Sequence, residues 1–79
     1  MIQFYQRNNG KYGEVVDGDL SKVKKMQGQY TLATAIAKAK EGECGEILTW
    51  TDKDALSKAG GNPVKHGWSD GGQCFRFED

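Results

Sequence analysis

Residues 31–51, TLATAIAKAKEGECGEILTWT, decide how this chain is read. Leu32, Ala35, Ile36 and Ala39 recur at i, i+3, i+4 and i+7, which makes one apolar stripe on a helix. Ala33, Ala35, Ala37 and Ala39 add high helix propensity. Thr31 opens the helix. Lys38 and Lys40 suit its C-terminal dipole, and Gly42 is a good residue to end it. From Gly45 to Thr51 the pattern becomes a strand, with Leu48 and Trp50 on one face. The small alanines would let the helix lie close to a sheet.

Upstream, Ile2-Gln3-Phe4-Tyr5-Gln6 alternates with period two and is rich in aromatic residues, as a strand requires. Asn8-Asn9-Gly10 follows, and Asn-Gly tolerates the positive φ angles of a type I′ hairpin turn. Lys11 to Val16 returns as the partner strand, with Tyr12 and Val16 able to share a face and Gly13 a candidate bulge. Asp17-Gly18-Asp19 reads as a turn. Residues Leu20 to Met26 are read two ways: a short helix capped by Asp19, or a further strand.

Downstream, Thr51-Asp52-Lys53-Asp54 resembles a capping box, with Asp in place of the usual Glu. A short helix through Ala55, Leu56 and Ala59 ends at Gly60-Gly61. Asn62 to Gly72 reads as a loop. Gln73 to Glu78 is the last strand, with Phe75 and Phe77 on one face and Cys74 and Arg76 on the other. The mixed order predicts an α+β fold. It would be a small, mostly antiparallel sheet of four strands, or five, with one main helix on one face and one or two short helices. Candidate core residues are Ile2, Phe4, Val16, Leu32, Ile36, Leu48, Trp50, Phe75 and Phe77. At 79 residues the expectation is one domain.

Such a chain buries a modest core and leaves little room for a deep substrate cleft. A module that binds something larger is therefore expected, and not an enzyme. No stretch has the apolar length of a membrane helix and no signal peptide is readable, so the expected compartment is the cytoplasm. Cys44 and Cys74 read as small buried hydrophobes in a reducing environment, although both precede strand-like runs and could lie side by side. His66 with two cysteines does not complete a zinc set, and in a glycine-rich loop it makes a poor partner for a cysteine nucleophile. The double glycines lack the spacing of phosphate-binding loops. No cofactor or metal is expected.

Charge balances overall, with 11 basic and 11 acidic residues. The halves differ: seven basic against three acidic residues over 1–40 give +4, and four against eight over 41–79 give −4. Glu41, Glu43, Glu46, Asp52 and Asp54 form an acidic cluster that could oppose a basic groove on another protein. Asp52 and Asp54 also suit a helix start. Tyr30 and Trp68 are candidate interface anchors. Lys22, Lys24, Lys25, Lys38 and Lys40 supply the alternative, a nucleic-acid-binding module contacting phosphates.

In size and style the chain resembles the small orphan proteins encoded by phages and mobile elements, among them anti-CRISPR proteins. The likeness spans the whole chain and rests on no particular residue. It implies a phage-type inhibitor that blocks a host complex by stoichiometric binding, and it carries over no functional position.

Overall fold

The computed structural model describes residues 2–15, 28–65 and 71–77. In chain order the elements are β1 (Ile2–Gln6), β2 (Tyr12–Val15), α1 (Leu32–Lys40), β3 (Cys44–Thr49), α2 (Lys53–Lys58), β4 (Asn62–Val64) and β5 (Gln73–Arg76). The strands form one five-stranded sheet in the order β2-β1-β3-β5-β4, so the fold is α+β with two helices among the described residues. Val16, the Asp17–Asp19 turn, the element expected over Leu20–Met26, His66 and Trp68 lie outside the described residues.

The helix forms as its pattern requires. The Thr31 side chain accepts a hydrogen bond from the Thr34 N–H at 3.2 Å and caps the first turn. At the other end Gly42 takes φ +83°, and Gly42 and Glu43 donate their N–H groups to the carbonyls of Ala39 and Lys38. This pair of bonds is a Schellman closure, which glycine reaches without steric cost. Ala35 and Ala39 are buried against Phe4, Tyr12, Cys44, Ile47, Leu56 and Phe75, with Leu32 and Ile36 packed at the margin.

The sheet is mixed and agrees with the expectation of a mostly antiparallel one. Three pairings are antiparallel, but β1 and β3 run parallel. Parallel neighbours need a long crossover, and the connection that carries α1 supplies one. The β1–β2 hairpin differs from a two-residue turn. Arg7 donates its N–H to the Lys11 carbonyl at 2.7 Å and accepts from the Gly10 N–H at 2.9 Å, while Gly10 stands at φ +83°. That is a three-residue loop with a left-handed glycine at its end. Pairing runs unbroken through Gly13. The bulge lies instead in β3, where register shifts between Ile2↔Cys44 and Gln3↔Glu46. It flips the alternation, so Cys44 and Ile47 join the helix-side core while Glu46 and Leu48 face the other way.

Residues 62–64, expected as loop, pair with β5 as an edge strand. Pro63 fits there because an edge strand can lack a ladder donor, and it leaves no N–H at that position for another strand. The opposite edge is covered in part by Tyr30, which exchanges backbone hydrogen bonds with Tyr12 at 2.8 and 3.0 Å. Both edges are thus blunted against strand addition.

The second sheet face buries Tyr5, Val15, Leu48 and Cys74, with Trp50 and Val64 packed beside them. Ile2 and Trp50, expected in the core, are only partly buried. Tyr12, not on the expected core list, is fully buried at 0% exposure.

A candidate binding cleft where β1 and β3 end

Strands β1 and β3 run side by side in the same direction and end together, at Gln6 and Thr49. Crevices beyond the carboxyl ends of parallel strands are where open sheets containing them place ligands. Here the chain leaves β1 for the hairpin loop, and the Gln6 side chain takes over as the partner of β3. Its Oε1 accepts from the Trp50 N–H at 2.7 Å, the Thr51 N–H at 3.0 Å and the Thr49 hydroxyl at 3.0 Å. Its Nε2 donates to Thr51 Oγ1 at 2.8 Å and Asp52 Oδ2 at 3.2 Å, and approaches the Gly10 carbonyl at 3.3 Å. A side chain only 4% exposed therefore has every polar position satisfied.

Tyr12 closes the network from below. Its hydroxyl lies 2.8 Å from Asp52 Oδ2 and 2.9 Å from Thr49 Oγ1. Burial pushes the phenol pKa well above its ordinary value, Thr49 offsets this in part, and the neighbouring Asp52 carboxylate adds to it. Asp52 stands at the N-cap of α2, yet makes no side-chain cap bond. The capping arrangement expected over residues 51–54 is replaced by this inward contact, in which the carboxylate accepts from the Tyr12 phenol and the Gln6 amide.

Above the network lies an open cleft of about 380 Å³ lined by Tyr5, Gln6, Arg7, Asn8 and Trp50. Trp50 packs edge-to-face on Tyr5, with ring centroids 6.0 Å apart. Gly72 braces the other side of the indole, where an added Cβ would meet it at 2.7 Å. The indole N–H has no acceptor among the described residues.

The acidic cluster is not one surface. Glu41 and Glu43 are exposed where α1 meets β3. Glu43 pairs with Lys38 at 3.1 Å, an exposed contact of small energetic weight. Asp52 and Asp54 stand beyond the far end of β3, whose six residues span roughly 17 Å. Asp54 is exposed in the first turn of α2. Glu46, between these ends, is 8% exposed and faces inward. Its carboxylate accepts from Arg76 Nε at 3.0 Å, Gln3 Nε2 at 3.1 Å and the Cys74 thiol at 3.3 Å, and forms a 2.9 Å ion pair with the second guanidinium nitrogen of Arg76. Tyr30 is partly buried against Phe4. Its hydroxyl meets Glu14 at 3.1 Å and Lys38 sits over its ring. Lys40 is exposed, whereas Lys22, Lys24 and Lys25 lie outside the described residues.

Cys44 and Cys74 are buried and unpaired, in cores on opposite faces of the sheet, so they do not lie side by side. Burial pushes the Cys44 thiol up to about 11. Burial, reinforced by the Glu46 carboxylate, pushes the Cys74 thiol up to about 12. Both ionise more readily in the unfolded chain. Their contribution to stability is therefore complete below about pH 9 and drains away as pH rises through 11 to 12. A thermal melt series is expected to hold level up to about pH 9 and fall above it, with a shallower fall in a Cys44→Ala/Cys74→Ala variant. Native protein should resist a thiol reagent at pH 8 that labels the unfolded chain at once; fast native labelling would contradict the buried placement.

Among the described residues no group of three histidine, cysteine or acidic side chains is placed to hold a metal, and no helix is long and apolar enough to cross a membrane. Gln6, Arg7, Asn8 and Tyr12 drew no functional reading from sequence, and Trp50 was assigned to the core. Their only signal was an aromatic-rich strand ending in a polar residue. The fold and cleft define a small α+β scaffold with a mixed sheet and a shallow aromatic opening at its parallel seam. Compared with protein-family models, curated proteins and solved structures, the chain shows no match to any of them.

Proposed function

We propose that this chain is a stoichiometric binding module for a larger protein and acts by occluding part of that partner's surface, as a phage-type inhibitor of a host complex would. The observation that carries the reading is Trp50: a half-buried indole, in contact with Tyr5 and close to Gly72, at the wall of an open cleft, with no acceptor for its N–H among the described residues. Tryptophan in such a setting supplies much contact area at low entropic cost, and its donor rewards a matching acceptor. The Gln6 network supports the reading because it holds the chain under the cleft rigid before any partner arrives, which lowers the cost of binding. The buried polar side chains of that network, and Glu46, are satisfied internally and serve the fold. The blunted sheet edges favour a surface contact over strand addition.

The test begins with affinity capture from the native host and identification of the retained protein. Calorimetry should then give a 1:1 complex. Asn8→Trp, which fills the rim of the cleft, should weaken it at least roughly tenfold, while Ala33→Arg on the exposed side of α1 should not. Equal affinity for both variants, or no 1:1 partner, would overturn the reading. Salt-sensitive binding of labelled nucleic acid, unaffected by Asn8→Trp, would replace it with the lysine-based alternative.

A further inference from the structure

We propose that Asn9 is a site of self-catalysed deamidation, and that loss of its amide opens a clasp between the β1–β2 loop and the segment at residues 28–30. Of the three asparagines, at positions 8, 9 and 62, only Asn9 precedes a glycine. Asn8 precedes Asn9, whose Cβ crowds the nitrogen that must attack. Asn62 precedes Pro63, whose nitrogen has no proton to give up. Gly10 has no Cβ and stands exposed at the end of the loop. The reaction needs only water. The Gly10 nitrogen gives up its proton and attacks Cγ of Asn9. The new C–N bond closes a cyclic imide as the bond from Cγ to Nδ2 breaks, and Nδ2 takes up a proton and leaves as ammonia. Water then opens the imide at either carbonyl, leaving aspartate or isoaspartate. No group is oxidised or reduced.

The fold holds each reacting group. Asn9 Nδ2 donates to the Gly28 carbonyl at 3.2 Å, and its Oδ1 accepts from the Lys11 N–H at 3.0 Å. The Gly10 N–H donates to the Arg7 carbonyl at 2.9 Å. The reaction therefore runs from the locally opened loop, in which these bonds are broken. Its product cannot restore all of them. An amide gives the Gly28 carbonyl a donor, whereas a carboxylate has only acceptors and sets a negative oxygen against that carbonyl. An aspartate oxygen still accepts from the Lys11 N–H, so the hairpin turn persists while residues 28–30 lift. What then holds that segment is its backbone pairing: the Tyr12 N–H with the Tyr30 carbonyl at 2.8 Å, and the Gln29 and Tyr30 N–H groups with the Tyr12 carbonyl at 3.0 Å. Loosening it uncovers the edge of β2. The change runs one way, because ammonia is lost. The same loop carries Arg7 and Asn8 to the cleft, so a negative charge arises next in sequence to the cleft wall, but the inference does not depend on the binding reading.

The test ages the whole chain in mildly alkaline buffer, folded and in urea, and resolves the digested peptides by chromatography and mass spectrometry. The expected result is aspartate and isoaspartate accumulating at residue 9 ahead of residues 8 and 62. The folded rate should lie roughly tenfold or more below the unfolded rate, because opening the loop breaks hydrogen bonds. Amide exchange in the aged folded protein, and in Asn9→Asp, should quicken roughly tenfold at Tyr12, Gln29 and Tyr30 and hold level at Leu48 in β3. Asn9→Ser removes the amide donor without adding charge and should lie between wild type and Asn9→Asp. Equal rates in the folded and unfolded chains would overturn the proposal, as would earlier conversion at another asparagine. So would a folded chain that keeps its amide through roughly a hundred half-times of the unfolded one. Unchanged exchange at Tyr12 and Tyr30 after conversion would show that the amide does not hold the segment and overturn it equally. If Asn9→Asp does not fold, unchanged exchange in Asn9→Ser decides the same point.

Discussion

Replacing Gln6 with leucine is expected to cost about 3 kcal/mol or more of folding stability. The substitution nearly conserves volume, so lost packing contributes little. What it removes is the acceptor, the only one among the described residues, for two backbone N–H groups, those of Trp50 and Thr51, together with the partner of the Thr49 hydroxyl. The Thr49 hydroxyl is buried and the two N–H groups partly so, and a donor left without an acceptor costs up to about 1–3 kcal/mol. A chain of this size has a total stability of roughly 5–10 kcal/mol, so the loss is a large share. A urea titration should show a lower midpoint with little change in slope. Thr51→Val removes a single contact at an exposed residue and should cost under about 1 kcal/mol. Were Gln6→Leu as mild as Thr51→Val, the network would be incidental to the fold, and the rigid floor assigned to the cleft would be lost with it.

The second large effect is expected at Gly28. A Cβ built there would sit 2.5 Å from both the carbonyl carbon and the oxygen of Lys11, and both are backbone atoms. Neither can rotate aside, so Gly28→Ala must push the segment at residues 28–30 off the hairpin. The Asn9 side chain donates to the Gly28 carbonyl at 3.2 Å and accepts from the Lys11 N–H at 3.0 Å, and Tyr30 bonds to Tyr12 just beyond. All of these contacts are strained together, and a loss of about 3 kcal/mol is expected. Gly10→Ala makes the comparison: Gly10 stands at φ +83° with open space around its absent Cβ, so only the conformational cost of about 1–2 kcal/mol applies. Amide exchange at Tyr12 and Tyr30 should accelerate in Gly28→Ala and stay near wild type in Gly10→Ala. The reverse order would show that backbone conformation, and not close approach, sets the requirement for glycine at residue 28.

The charge reversal that the acidic cluster invites also changes meaning. Reversing Glu43, Glu46, Asp52 and Asp54 together would reach two side chains that hold the fold. Glu46 anchors Arg76, and Asp52 anchors Tyr12 and Gln6. Only Glu41, Glu43 and Asp54 remain as exposed members of the set, and they stand at opposite ends of β3. Sequence proximity placed five carboxylates in one group. A strand roughly 17 Å long separates them into three environments.

What the sequence alone determined is the part governed by near neighbours. The apolar stripe Leu32–Ala35–Ile36–Ala39, the Thr31 cap and the Gly42 stop specify α1 through contacts three to five residues apart, and alternation specifies β1, β3 and β5. The tertiary structure alone decided the parallel pairing of β1 with β3, the strand at residues 62–64, the bulge that turns Cys44 away from Glu46, and the cleft. Each of these depends on groups far apart in the chain: Gln6 reaches residues 49–52, and Glu46 reaches Gln3 and Arg76. A polar side chain ending a strand looks the same in sequence whether it meets water or two partly buried N–H groups. The energy that distinguishes those cases appears only when the other strand arrives, so a local pattern carries no trace of it.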